Sequence, residues 1–217
     1  VFVNDEPEHI AALVKDEVID LIQLHGDENE HYIKKLRRLT NAPIIYAVRV
    51  ETHRDIEEAD QLPVDYLLLG QHYIRNEIDG VYVYEPTDDP KVLATYVNQC
   101  IEALQTGLYT YLAHPDLINF TGSETFYRRE MERLCLAAKE LNIPLELNLL
   151  GLRANRTYPS ERFFRIAKAC GNTIVAGIDA HDPNCFFQPE TFEPYQKFVA
   201  ACGLTVTDEI TLRPVKR

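Results

Sequence analysis

The chain has 217 residues, 46% apolar and 26% charged, the balance of a water-soluble globular protein with enough material for one self-sufficient core. Its 22 Lys and Arg stand against 34 Asp and Glu, a formal charge of −12, which argues against nucleic-acid partners, whose phosphates need clustered cations. No apolar run approaches the ~20 residues that span a bilayer, and residues 1–15 are acidic where a secretory leader would be basic.

Residues 1–4 read as a short strand and 7–15 as a helix, with Pro7 in the first turn, where a missing N–H costs little. Residues 19–25 form a buried apolar strand. A polar helix follows from about Glu28 to Leu39, and its basic group Lys34-Lys35-x-Arg37-Arg38 reads as a solvated face. The β-branched run 43–50 is a third strand, 56–61 a short helix, and 65–69 (Asp-Tyr-Leu-Leu-Leu) a fourth strand. Residues 70–88 make a long irregular connection with a small hairpin at 81–84. Pro90 opens an amphipathic helix to about Gln105, in which Val92, Leu93, Tyr96, Val97, Cys100, Ile101 and Leu104 recur with helical spacing. Beyond it come strand 109–113, helix 124–141, strand 144–150, helix 160–170, strand 173–179, a helix near 191–201 and a terminal extended segment at 207–214.

Seven β-α units with short apolar strands predict an all-parallel sheet. No Gly-x-Gly-x-x-Gly follows the first strand, so a dinucleotide-binding open sheet lacks its main support. His25, His72, His114, Asp179 and His181 all fall at strand C-termini or just beyond, the rim where a (β/α) barrel gathers its functional groups. The expected fold class is therefore α/β, a TIM-barrel-like (β/α) barrel of seven parallel strands.

In Gly177-Ile178-Asp179-Ala180-His181-Asp182-Pro183, Asp179 and His181 are two apart and share one face of an extended segment. A carboxylate with an imidazole suits Zn, Mn or Fe; the alternative is a polar strand end with a capping Asp. In Ala113-His114-Pro115-Asp116 the proline fixes the chain after the strand and so the direction of His114. His72, in Leu69-Gly70-Gln71-His72, adds a third imidazole, and the four residues suffice for one divalent metal where they converge. Glu146 and Asn148 share a face of the sixth strand. Arg153 either grips a phosphate or sulfate at the barrel mouth or makes a surface ion pair. Gln23, His25 and Arg49 read as further mouth residues, and His9, His31 and His53 as helix-surface residues without a role.

Five cysteines, Cys100, Cys135, Cys170, Cys185 and Cys202, show no Cys-x-x-Cys spacing, which points to reduced thiols in a cytoplasmic chain and away from zinc ribbons and redox motifs. No Gly-x-Ser-x-Gly elbow supports a nucleophilic triad. The chain opens on Val1 and its one methionine is Met131, which suggests trimming or a fragment.

The motifs resemble two families. Gly70-Gln71-His72-Tyr73, Tyr111-Leu112-Ala113-His114-Pro115-Asp116-Leu117, Glu146-Leu147-Asn148-Leu149-x-Gly151-Leu152-Arg153 and Asp179-Ala180-His181-Asp182-Pro183 resemble the histidinol-phosphate phosphatases of the PHP superfamily. That resemblance implies a seven-stranded barrel hydrolysing phosphate esters with up to three divalent metals. His72 and His114 would share one metal, Asp179 would bind a second, His181 a third, and Arg153 would contact the phosphate. The family's His-x-His pair and the Glu that bridges two metals have no counterpart here.

The first third instead resembles phosphoribosylanthranilate isomerase. Its carriers are Val1-Phe2-Val3-Asn4, Ile22-Gln23-Leu24-His25-Gly26-Asp27-Glu28, Ile44-Ile45-Tyr46-Ala47-Val48-Arg49-Val50 and Asp65-Tyr66-Leu67-Leu68-Leu69. They correspond to strands three to six of that eight-stranded barrel, so the strand bearing its catalytic cysteine is absent. Gly70 stands where its catalytic aspartate belongs.

Together these imply a single barrel domain, isomerase-like over 1–69 and phosphatase-like over 70–217, as an engineered fusion with neither parental site complete. The alternative is a weak metal-dependent phosphomonoester hydrolase holding one Zn, Mn or Fe. Misfit is expected at the 65–70 seam and where Val1 meets the C-terminal part, where an exposed strand edge would invite a weak homodimer in place of a monomer.

Overall fold

The structure, a computed structural model, describes residues 1–47, 61–74, 80–179 and 189–213. Helix α1 (Pro7–Lys15) starts on a proline in its first turn, and β1 (Ile22–Leu24) follows. Helix α2 (Glu30–Leu39) is capped by the Asn29 side chain, which accepts from Tyr32 N, and leads into β2 (Ile44–Ala47). Strand β3 (Tyr66–Gly70) precedes a two-stranded hairpin, β4 (Tyr73–Ile74) with β5 (Val81–Tyr82). Then come α3 (Pro90–Gln105), β6 (Tyr109–Ala113), α4 (Glu124–Glu140), β7 (Leu145–Asn148) and the short α5 (Leu149–Arg153). The chain continues through α6 (Glu161–Cys170), β8 (Ile174–Gly177), a 3-10 turn at Pro189–Thr191, α7 (Phe192–Cys202) and β9 (Val206–Thr207). Helices α6 and α7 end on Gly171 and Gly203, both left-handed, the conformation that stops a helix without a Cβ clash.

Seven strands pair in the order β1-β2-β3-β6-β7-β8-β9, and every described ladder in that sheet is parallel. Strand side chains alternate between two faces. Ile44, Leu67, Leu69, Tyr109, Leu112, Leu145, Leu147 and Ile174 join the large core shared with the helices. Ile45, Tyr66, Leu68 and Ala113, with Tyr111 packed on them, form a small cluster apart from it. This sheet with its covering helices is the expected α/β architecture.

Which segments supply the seven strands differs from expectation. Residues 1–4 contribute one bridge, Phe2 to Leu24, because Asn4 leaves the strand. Asn4 takes a left-handed φ of 53°, and its N–H donates to Glu28 Oε1 at 2.7 Å. Glu28 is 3% exposed and also accepts from Gly26 N at 2.7 Å, so one carboxylate pins the first segment to the end of β1. The seventh strand is Val206–Thr207, within what the pattern marks as a terminal extension. It pairs with Ile174 and Val175 of β8, and the chain runs on until Arg213 N donates to Thr110 Oγ1 at 3.1 Å. Among the described residues no ladder joins Phe2 to β9.

Three smaller differences have local causes. The segment 81–84 is one arm of a hairpin whose other arm is Tyr73–Ile74. Strand β7 stops at Asn148 because the Asn148 side chain caps α5, accepting from Gly151 N at 3.0 Å. Arg37 does not lie on a solvated face; it donates to Ala42 O at 2.7 Å, to Pro63 O at 3.1 Å and to Asp65. The short helix expected at 56–61 lies almost wholly outside the described residues.

Candidate functional site at the strand C-termini

Because the ladders are parallel, every strand delivers its last residue to the same end of the sheet. His72 lies two residues beyond β3, and its carbonyl accepts from Val83 N at 2.9 Å, which ties it to the hairpin. His114 follows β6 directly. The two rings approach to 3.2 Å between their Nε2 atoms, with centroids 4.9 Å apart. At that distance either one ring donates to the other, or both turn lone pairs toward one shared cation.

His114 is 7% exposed, and Asp179 lies two residues past β8. Both take positive φ, 36° and 50°, a left-handed backbone that costs non-glycine residues about 1 kcal/mol or more each. The surroundings hold them there. His114 N donates to Glu146 Oε2 at 2.9 Å, and Asn148 Nδ2 donates to Glu146 Oε2 and to Asp179 Oδ2, each at 3.2 Å. Strand β7 alternates Leu145 and Leu147 into the large core, so Glu146 and Asn148 face the other way. Gly177, beside Asn148 in register, leaves room for this carboxylate: a Cβ there would lie 1.7 Å from Glu146 Oε1.

Burial dominates the electrostatics. It pushes the Glu146 carboxyl up to about 7, against the hydrogen bond from Asn148, while the Asp179 charge pushes it up further. His114 is held below the usual imidazole value, first by burial; Asp179 opposes this, and the charges of His25 and Arg156 reinforce it. Arg156 donates to the Tyr158 hydroxyl at 2.6 Å, and the Tyr158 ring meets His114 edge-on with centroids 6.0 Å apart. Asp116, 3% exposed, accepts from Ser160 N at 2.5 Å and is pushed up to about 6, again by burial first.

The expected site residues thus have three fates. His72 and His114 meet, Asp179 joins them through Asn148 and the field it exerts on His114, and His181 lies outside the described residues, as do Arg49 and His53. Arg153 ends α5, and the arginine whose charge reaches His114 is Arg156. His25 follows β1 directly and lies near enough to act on His114. Arg156 and Tyr158 carry no sequence signal of their own, and the Ala-His-Pro-Asp motif predicts no role for Asp116, whose partner Ser160 lies 44 residues on.

Two converging imidazoles fit part of a metal site. Among the described residues no three His, Cys, Asp or Glu side chains group as a ligand set, which falls short of the three or four donors of a tight zinc centre. Among the described residues no helix is long and apolar enough to cross a membrane.

Comparison with known proteins separates the two parts of the chain. Residues 1–71 match the family of N-(5'-phosphoribosyl)anthranilate (PRA) isomerase. The isomerase of Lachnoclostridium phytofermentans is 48% identical over 68 residues, 31% of this chain and 31% of that protein. That of Endomicrobium trichonymphae is 49% identical over 51 residues, 24% and 26% respectively. The chain thus spans about a third or less of these relatives' length. In structure it resembles histidinol phosphate phosphatase from Lactococcus lactis, crystallised with zinc, L-histidinol and phosphate. The TM-score is 0.58 at 14% identity, over 94% of this chain and 89% of that one, a likeness of fold. The chain is accordingly composite, isomerase-like in sequence over its first 71 residues and, as a whole, folded like a TIM-barrel-like histidinol phosphatase.

Proposed function

We propose that this chain is an engineered hybrid (β/α) barrel, a single domain in which isomerase units over 1–69 complete a phosphatase barrel over 70–217, and that it runs neither parental reaction efficiently. The observation that carries this is the split between sequence and fold within one sheet. A natural recombinant stripped of both activities would have little reason to persist. The loss of the isomerase reaction follows at Gly70. A Cβ there would sit 3.5 Å from His114 Cε1 and 3.8 Å from His72 Cε1, so the position facing the phosphatase histidines carries no acid for proton transfer.

A second reading, a slow metal-dependent phosphomonoester hydrolase, is favoured by the 3.2 Å approach of His72 and His114. In it His72, His114, Asp179 and His181 hold one Zn, Mn or Fe, and Arg153 takes the phosphate or sulfate at the mouth. The parents' cytoplasmic setting, a monomer or weak homodimer, and indifference to nucleic acid and membrane belong to both readings.

One set of assays separates them. Turnover of phosphoribosylanthranilate and of histidinol phosphate is measured with added Zn or Mn and with chelator. The hybrid reading expects both at the level of a protein-free blank. Chelator-sensitive phosphate release, abolished by His114→Ala, would establish the second reading in its place.

A further inference from the structure

The five cysteines are scattered in sequence, yet two of them meet in space. Helices α4 and α6 pack side by side, and Cys135 on α4 and Cys170, the last residue of α6, are close enough for each thiol to act on the other's titration. The crossing is fixed by two further contacts. Asn172 Nδ2 donates to the Cys135 carbonyl at 2.8 Å, and Lys139, one turn beyond Cys135, donates to the carbonyl of Gly171. The residues just after Cys170 are therefore tied to α4 beside Cys135. The other described thiols are placed differently: Cys100 has the Tyr96 hydroxyl as partner, and Cys202 lies at the end of α7.

We propose that Cys135 and Cys170 are a redox site, forming a reversible disulfide that staples α4 to α6 when the chain meets a small-molecule disulfide. Cys170 is partly exposed and Cys135 fully buried, which sets the order of events. The Cys170 thiolate attacks the small disulfide RSSR, forming a protein–SR bond and expelling RS⁻. The Cys135 thiolate then attacks the Cys170 sulfur and expels the second RS⁻. The two protein thiols are oxidised to one disulfide, RSSR is reduced to two RSH, and the two thiol protons end on the leaving thiolates. Because the backbone contacts already hold the two helices together, the second step is intramolecular between pre-oriented groups. Burial raises both thiols above their ordinary value, Cys135 the more, so exchange is slower than for a free surface cysteine.

The loop closed by this bond contains β7 with Glu146 and Asn148, α5, and Tyr158. Oxidation would thus brace the strand that holds His114 and Asp179.

The test treats the folded chain with excess oxidised glutathione for hours, alkylates the remaining thiols and maps peptides without reduction. The expected result is a Cys135–Cys170 linked peptide as the main product, a mass lower by two hydrogens, reversal by dithiothreitol, and a melting temperature raised by roughly 5–10 °C. Cys170→Ser should abolish the link, and Cys135→Ala should stop at a glutathione adduct on Cys170. A wild-type chain that stops at that adduct, links other cysteines, or forms the 135–170 link only in denaturant would overturn the proposal. The wild-type map decides the matter even where a variant folds poorly.

Discussion

Glu146 shows how one side chain can hold a site together and strain it at once. It accepts the His114 backbone N–H and the Asn148 amide while 4% exposed, and burial lifts its carboxyl from 4.5 to about 7. The folded state therefore keeps a proton that the unfolded chain releases above its ordinary value. Between about pH 4.5 and 7 the unfolded state binds fewer protons, so this residue's contribution to stability falls as pH rises through that window and is level beyond it. The full swing is at most about 3 kcal/mol. Asp116, raised to about 6, acts in the same direction, and His114, lowered by burial, acts in the opposite one. Comparing Glu146→Gln with wild type isolates the carboxyl. In chelator-treated protein, the wild-type urea midpoint should drop relative to Gln from pH 5 to pH 8; a constant difference would show that Glu146 stays ionised throughout. Little of this network can be read from single residues. The sequence places Glu146 and Asn148 on one face of a strand, but the bond to His114 N crosses from β7 to β6 and depends on a left-handed turn that Ala-His-Pro does not advertise.

Among elements, α2 is held by one arginine that periodicity reads as solvent-facing. Lys34 and Lys35 do face water, pairing with Glu30 and Glu8, but Arg37 turns inward and forks across three acceptors. Its carboxylate partner, Asp65, also accepts from Ile44 N at 2.6 Å, so the pair ties α2 to the starts of β2 and β3 together. With side chains 22% and 31% exposed, the pair is more than a surface contact, and Arg37→Ala takes the guanidinium from two carbonyls and leaves the Asp65 charge with the Ile44 N–H but no cation. A loss of about 1–3 kcal/mol is expected by urea unfolding, and Arg37→Lys, which lacks the fork, should recover little of it. An exposed control, Lys34→Ala, should cost under about 0.5 kcal/mol. The side-chain caps Asn29, Asp89 and Ser123 emerge from the structure, whereas the starts of α1 and α3 were legible because Pro7 and Pro90 sit in first turns. The first strand was not, because alternation over four residues says nothing about the Glu28 carboxylate that takes Asn4's N–H away from a ladder.

At the scale of the whole molecule, the proposed hybrid should fit worst where its isomerase-like strands meet the rest of the sheet. Interior layers of β-branched and leucine side chains are interchangeable between (β/α) barrels, so six of the seven strands of the sheet could be inferred from pattern alone. The fit at the proposed junction could not, since it depends on how strands of two families meet. With the proposed division at residue 69 the junction is β3 against β6, a ladder whose register slips between Leu67 and Leu69: Leu67 stands opposite Tyr109, but Leu69 opposite Leu112. At the same place Tyr109 is fully buried, and among the described residues its hydroxyl has no hydrogen-bond partner. A buried hydroxyl without a partner costs about 1–3 kcal/mol relative to a matched or absent one. Tyr109→Phe removes that oxygen and keeps the ring that fills the core, so the variant should be more stable than wild type by about 1–2 kcal/mol, the reverse of most core substitutions. The gain should appear as a higher urea midpoint with an unchanged slope, because the surface exposed on unfolding stays the same. A neutral or destabilising Tyr109→Phe would mean that the hydroxyl is satisfied in solution and that strain at the junction resides in the backbone slip alone.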